Sequence, residues 1–262
     1  VIVDPQAVQR IHESYIQHGA QLIQTSTYQT SENSVQKWFP EEIYEQVVTK
    51  SIELAYNAKA DRDVFIAGSI GPYGASLANG AEYTGDYSDI SDDFLEAFHK
   101  TRLDILCQDD RVDLIALETI PNAQEIKVLT KMMNERQKPY YISLSVKGDT
   151  LADGTPLREL KELILQGKGL QCVGVNCLGL SDSLLWLRKL KSWGKGLVVY
   201  PNSGEIYEDR AWHEPSIQDR MTWEQYVESL HEIGNVKIIG GCCRTTPEII
   251  GELSRVVERI HS

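Results

Sequence analysis

An α/β fold built on a parallel, barrel-like sheet is what this sequence predicts, and three observations carry the prediction. Short apolar runs of β type alternate with helical patterns along the whole chain. Seven such runs occur, with room between consecutive runs for one helix and occasionally two. Polar residues able to do chemistry collect where the runs end, and the C-terminal strand ends are the catalytic face of a parallel barrel.

The elements follow in order. Asp4 followed by Pro5 is an N-cap with proline at the first helical position, and Gly19 is placed to end that helix. The strands are expected at Ala20–Thr25, Val64–Ser69, Val112–Glu118, Tyr140–Ser145, Cys172–Cys177, Leu197–Tyr200 and the run from Val236 to Cys243. Pro121-Asn122-Ala123 opens a helix directly after Glu118. The last helix starts at Thr245-Thr246-Pro247-Glu248 and keeps Ile249, Ile250, Leu253, Val256, Val257 and Ile260 on one face. No linker, low-complexity segment or charge block divides the chain, so residues 1–262 read as a single barrel domain.

Seven units fall one short of a (β/α)8 TIM barrel. The chain opens on a helix, so the first strand is the one expected to be missing. A gapped barrel exposes two strand edges, which is costly, and an open sheet is the alternative. The placement of the polar residues favours the barrel. With the absent strand counted as the first, Thr25, Glu118, Cys177 and the Cys242-Cys243 pair all fall on even-numbered strands. Alternate strands fill one layer of a barrel interior. One layer is therefore expected to hold three thiols, a carboxylate and a hydroxyl.

The 262 residues carry a formal net charge of −12 and 42% hydrophobic residues. That length buries a substantial core. The acidic balance argues against nucleic acid as a partner. No apolar run approaches the ~18 residues of a membrane span, and no signal peptide is expected ahead of the first helix. Five cysteines, an odd number, point to a reducing compartment and hence a cytoplasmic protein. Cys107 falls in a helical pattern and reads as core. Cys172 reads as structural, on the strand face opposite Cys177.

Cys177, Cys242 and Cys243 carry the chemistry. Thiolates are soft ligands that favour Zn²⁺, and three of them leave a tetrahedral ion one open position. Adjacent cysteines on a regular strand face opposite ways, so Cys242 and Cys243 can share an ion only if the chain turns there. Gly240-Gly241 before them and Arg244-Thr245-Thr246-Pro247 after them supply that turn. Glu118 reads equally as a helix-start carboxylate or as a substrate contact. Ser69-Ile70-Gly71-Pro72 lacks the Gly-Lys-Ser/Thr of a phosphate loop and reads as a tight turn that lets substrate approach the backbone. The six histidines are expected on helices or in a loop, none of them ending a strand and none a ligand. The loop Trp212-His213-Glu214-Pro215 either covers the site or packs on the surface.

The motifs Val175-Asn176-Cys177 and Gly240-Gly241-Cys242-Cys243-Arg244-Thr245-Thr246-Pro247 resemble the zinc motifs of the homocysteine S-methyltransferase family. Ala67-Gly68-Ser69-Ile70-Gly71-Pro72-Tyr73-Gly74-Ala75, Glu82-Tyr83-Thr84-Gly85-Asp86-Tyr87, Leu117-Glu118-Thr119-Ile120-Pro121, Asp153-Gly154-Thr155-Pro156-Leu157 and Val199-Tyr200-Pro201-Asn202-Ser203-Gly204-Glu205 also match, in order and over essentially the whole chain. The likeness is greatest to the branch that uses S-methylmethionine or S-adenosylmethionine. It implies a zinc-dependent enzyme that moves a methyl group from such a sulfonium to the thiol of L-homocysteine, forming methionine. Selenocysteine as acceptor and a non-catalytic zinc barrel are the alternatives.

The resemblance further implies that Cys177, Cys242 and Cys243 bind Zn²⁺ and that Glu118 pairs with the homocysteine amino group. Thr25 and Tyr28 are expected to line the pocket, Ser69 and Gly71 to meet substrate backbone atoms, and Asn176 to join the substrate contacts. No protein general acid or base is expected, since the sulfonium leaves as a neutral thioether. The family's first strand, with its Asp-Gly segment and the Trp-containing loop after it, has no counterpart here. The stretches Lys37 to Glu41 and Glu205 to Trp212 are brief for the family.

Overall fold

The computed structural model of the chain describes residues 1–203, 206–208, 211–213 and 221–261. Its centre is a curled sheet of seven parallel strands whose order in space is their order in sequence. They are β1 (Leu22–Gln24), β2 (Phe65–Ile70), β3 (Leu114–Ile120), β4 (Tyr140–Leu144), β5 (Leu170–Asn176), β6 (Gly196–Tyr200) and β7 (Val236–Ile239). These are strands two to eight of the count above. Among the described residues β1 and β7 are the two ends of the sheet.

Eight longer helices pack on the outside: α1 (Pro5–Gln17), α2 (Tyr44–Lys59), α3 (Asp92–Gln108), α4 (Ala123–Asn134), α5 (Leu157–Ile164), α6 (Leu180–Leu190), α7 (Trp223–Ile233) and α8 (Pro247–His261). Their ends follow the sequence signals. Asp4 accepts from the Ala7 amide at 2.9 Å, a cap that contributes about 1 kcal/mol. Gly19 takes φ +97° just past α1, and a side chain there would run into Ser254 of α8. Asn122 caps α4 by accepting from the Glu125 amide at 3.1 Å. Asp153 takes the Ala123 amide at 2.7 Å, so the loop after β4 also holds the start of α4.

Strand alternation sorts the core into two layers. Ile115, Leu117, Val173 and Val175 face the helices and pack with Leu103, Leu106 and Leu129. Ala67, Ala116, Tyr141, Cys172, Val198 and Tyr200 face the barrel interior. Cys172 is thus a buried interior residue, and Cys107 is half-buried against the main core. No described helix is long and apolar enough to cross a membrane.

Several expectations need correction. The strands stop short of the cysteines: β5 ends at Asn176 and β7 at Ile239, so all three lie in the turns that follow. β3 runs past Glu118 to Ile120, with its pairing register broken between Leu117 and Ile120. His213 ends a short strand, Ala211–His213, which pairs with Ile206–Glu208 after β6. Glu214 and Pro215 of the expected covering loop, and Gly204 and Glu205 of the β6 motif, lie outside the described residues.

Candidate metal centre and substrate pocket

The turns after β5 and β7 bring the cysteines together. Cys177 has φ +56° and Arg244 φ +65°, left-handed conformations that cost a non-glycine residue on the order of 1–2 kcal/mol. Hydrogen bonds hold them. Cys177 N donates to the Tyr200 carbonyl at 3.2 Å, and Cys242 N to the Pro201 carbonyl at 2.7 Å. The Asn202 side chain accepts from Cys243 N at 3.2 Å, while its backbone amide donates to Leu178 at 2.9 Å. Asn202, after β6, therefore ties both cysteine turns to one point. Thr245 closes the second turn through its hydroxyl, which donates to the Cys242 carbonyl at 2.7 Å. A side chain at Gly241 would collide with Thr245, so the first half of that turn needs glycine.

The outcome is a half-buried cluster in which the three sulfur atoms lie within 4.8 Å of one another. No other histidine, cysteine or carboxylate joins it among the described residues. Cys177 and Cys243 have sulfurs 3.9 Å apart, close to the ~3.8 Å edge of a tetrahedron with ~2.3 Å metal–sulfur bonds. Cys177 and Cys242 are joined as a disulfide, with their Cα atoms 5.5 Å apart. Reduction of that bond frees the full set of three thiolates. Burial pushes the Cys243 thiol above its ordinary range, so its thiolate needs a cation beside it. The donor set fits a thiophilic metal ion.

The second cluster is Glu118, which faces the barrel interior and is 5% exposed. Its carboxylate accepts from the Ser69 hydroxyl and, at 2.7 Å, from the Gln24 amide. Gln24 also donates to the Tyr141 hydroxyl at 2.9 Å. Burial raises the Glu118 pKa, and the hydroxyls of Ser69 and Tyr200 and the amide of Gln24 pull it back. All the partners that act on it are uncharged. Ser69 lies on an odd-numbered strand in the earlier count. The contacts of Glu118 thus come from neighbouring strands as well as alternate ones, and the even-strand layer is not a closed set. Gln24, Tyr141 and Tyr200 escaped sequence reasoning, because inside a strand nothing distinguishes them from packing residues.

The break in β3 lies beside Glu118. Thr119 has φ +58°, a strained conformation for a β-branched residue. Asn176 holds it. The Asn176 side-chain oxygen accepts from Thr119 N at 3.0 Å and from the Ser143 hydroxyl at 2.7 Å, and its amino group donates to Thr119 Oγ1 at 2.7 Å. Thr25 serves the neighbouring strands: its hydroxyl accepts from Ser69 N at 3.0 Å and lies 2.7 Å from that of Thr27.

Two tyrosines feel these groups. Burial raises the Tyr28 pKa far above the ordinary 10, the Thr119 side chain pulls it back, and the charges of Glu118, Tyr83 and Glu82 add to the rise. Tyr83 is pushed up to about 12 by burial, with the charges of Cys243 and Glu82 adding to the effect. Gly71 packs against Tyr28 so closely that an added Cβ would lie 2.6 Å from its ring.

The family model of homocysteine S-methyltransferases matches residues 1–257. This chain belongs to the homocysteine S-methyltransferase family. Homocysteine S-methyltransferase 1 of Brassica oleracea var. italica is 35% identical, over 99% of this chain and 85% of that one. The selenocysteine methyltransferase of Astragalus bisulcatus is 31% identical, over 97% and 83%. The metallated form of the Escherichia coli homocysteine methyltransferase MmuM superposes with a TM-score of 0.84 at 31% identity, over 97% of this chain and 85% of that one. The oxidized form of the same protein also gives 0.84, at 32% identity and the same coverage. As a member of this family the chain is a methyltransferase enzyme, and the sheet described above is its TIM-type barrel.

Proposed function

We propose that the enzyme transfers a methyl group from a sulfonium, S-methylmethionine or S-adenosylmethionine, to the thiol of L-homocysteine, with Zn²⁺ held by Cys177, Cys242 and Cys243. One observation carries this reading. A half-buried cluster of three cysteines in the turns after β5 and β7, and a buried carboxylate with only uncharged partners near the end of β3, both lie toward the C-terminal ends of the parallel strands. Bound there, the ion would lower the pKa of a substrate thiol, so that it is thiolate near neutral pH.

The chain's own residues do the rest. Glu118 receives the ammonium of homocysteine, and Ser69 and Gln24 fix the carboxylate for it. Asn176 holds the Thr119 turn beside Glu118, and Tyr28 packs closely against Gly71. Thr25 keeps β1 and β2 in step, so that Ser69 meets Glu118. In the transfer a bond forms between the homocysteine sulfur and the methyl carbon. The bond from that carbon to the donor sulfur breaks, and its electron pair leaves with the donor as a neutral thioether. No proton is needed on the leaving group. Alignment of the three reacting atoms supplies much of the rate.

The name of the Astragalus relative favours one second reading, transfer to selenocysteine. Three thiolate ligands also require a reducing surrounding, for which we propose the cytoplasm. Steady-state rates with each donor and each acceptor, together with elemental analysis, test the proposal. The expected result is one zinc per reduced chain and turnover of homocysteine with a sulfonium. Full activity in chain stripped of metal would falsify it.

A further inference from the structure

Among the described residues the three most deeply buried acidic or basic side chains form a chain of their own. Arg102 and His99 on α3 and Glu125 on α4 are 1%, 0% and 0% exposed. Arg102 Nη1 donates to the carbonyls of Thr27 at 3.1 Å, Tyr28 at 3.0 Å and Thr30 at 3.0 Å. Its Nη2 donates to the Gly71 carbonyl at 3.1 Å and to His99 Nδ1 at 3.4 Å. His99 Nε2 lies 2.7 Å from Glu125 Oε1. The same carboxylate accepts from Tyr73 N at 2.7 Å and from the Tyr87 hydroxyl at 2.5 Å.

The donors fix the protonation of the relay. A guanidinium only donates, so His99 Nδ1 must accept. His99 Nε2 then carries the proton and gives it to Glu125, and the ring is neutral. Burial, which lowers the His99 pKa, agrees with this assignment.

Stability alone explains such a network poorly, because a buried ion is often no better than a well-packed apolar residue. The carbonyls it holds are more informative. All four belong to the loops after β1 and β2, and two of them are those of Tyr28 and Gly71. We propose that Arg102, relayed through His99 to Glu125, is a positioning network that sets Tyr28 and Gly71 at the distance from Glu118 that homocysteine binding requires. The inference rests on the reading in which Glu118 and Tyr28 meet that substrate. Arg102 touches no reacting atom. It ties together the stretches after β1 and β2, since Tyr73 and Tyr87, also after β2, bind the other end of the relay.

Arg102→Lys tests this, because an ammonium lacks the planar fork that reaches four carbonyls and an imidazole. Metal content, melting temperature and steady-state constants are measured together. The expected result is metal content equal to the parent, with KM for homocysteine raised on the order of tenfold and kcat changed much less. An unchanged KM with kcat lowered in proportion to the folded fraction marks a merely structural role and overturns the proposal.

His99→Leu and His99→Gln decide independently if the lysine variant does not fold. Leucine breaks the relay and is expected to raise KM. Glutamine can accept and donate as the neutral ring does, and is expected to return KM to within about threefold of the parent. Equal KM in the leucine and glutamine variants overturns the proposal. Glu118→Gln in parallel separates the two readings. Loss of homocysteine affinity there, without loss in Arg102→Lys, removes the network's role and keeps the pocket. No loss in either removes the pocket reading itself.

Discussion

The sulfur cluster stands on turns, whereas the Glu118 cluster stands on strands. Cys177, Cys242 and Cys243 lie beyond their strands, on backbone that includes φ +56° at Cys177 and φ +65° at Arg244, and they are half-buried. Glu118 and Ser69 lie within strands, Glu118 next to the break in β3, and both face inward and are buried. The sulfur cluster is held through the backbone of its turns, which Asn202 and Thr245 clamp. The Glu118 cluster is a web of side-chain bonds from β1, β2 and β3. A site for an exchangeable ion needs access and soft, closely spaced ligands. A site for a fixed ammonium needs a dry, preorganised carboxylate. The two constructions suit those two tasks.

The sharpest way to break this contrast is Cys243→Ser. It removes one of the three proposed ligands and leaves the strands untouched. Changing the partners of a metal ligand already costs roughly 10–100-fold in affinity or activity, and loss of the ligand itself should exceed that. Zinc by elemental analysis and turnover should fall together, with the melting temperature little changed. Retained zinc with lost turnover would assign Cys243 to substrate rather than metal. The same cluster should respond to redox state. Oxidant that keeps Cys177 bonded to Cys242 leaves one thiol, so metal uptake should require prior reduction.

The contrast also explains what the sequence made legible. Cysteines on turns announce themselves, because Gly240-Gly241 before a Cys-Cys pair has little other reason to exist. Parallel order and helix ends were equally plain from the apolar runs and from Asp4-Pro5 and Thr246-Pro247. The strand-borne site was only half visible. Glu118 stood out as a carboxylate in an apolar run, but Gln24, Tyr141 and Tyr200 look like packing residues until the barrel curls. The role of Asn202 as clamp of both cysteine turns was hidden for a related reason. Its partners, Leu178 and Cys243, lie far from it in sequence and meet it only in space. Cys172 shows the limit of alternation. It faces the barrel interior, and the left-handed turn at Cys177, just past the strand, is what carries that thiol to the sulfur cluster.

A change on the strand side should spare the metal. An alanine methyl at Gly71 would lie 2.5 Å from the Tyr28 carbonyl and 2.6 Å from its ring. Overpacking of this kind costs about 1–3 kcal/mol. Gly71→Ala should therefore lower the melting temperature by several degrees and raise KM for homocysteine up to about tenfold at full zinc occupancy. Loss of zinc in this variant would show that the two clusters are mechanically one.

The smallest expected effect separates them by pH. Burial raises the Glu118 pKa above its usual 4.5. Between 4.5 and the raised value the folded chain holds the proton more tightly than the unfolded one. In that window Glu118 therefore makes the ligand-free protein less stable as pH rises. Homocysteine reverses the sign. Its ammonium needs the carboxylate ionised, so KM should climb, by about threefold, as pH falls through the same window. Buried His99 and His12, whose pKa values are lowered, act differently: they destabilise the fold as pH drops below 6.5. Glu118→Gln subtracts them, along with the ionisation of the substrate thiol, because the glutamine chain keeps every titrating group except Glu118. A homocysteine KM with the same acid dependence in both chains would mean that the ammonium is held elsewhere. The strand-built cluster would then be a packing device, and the turn-built one would carry the chemistry alone.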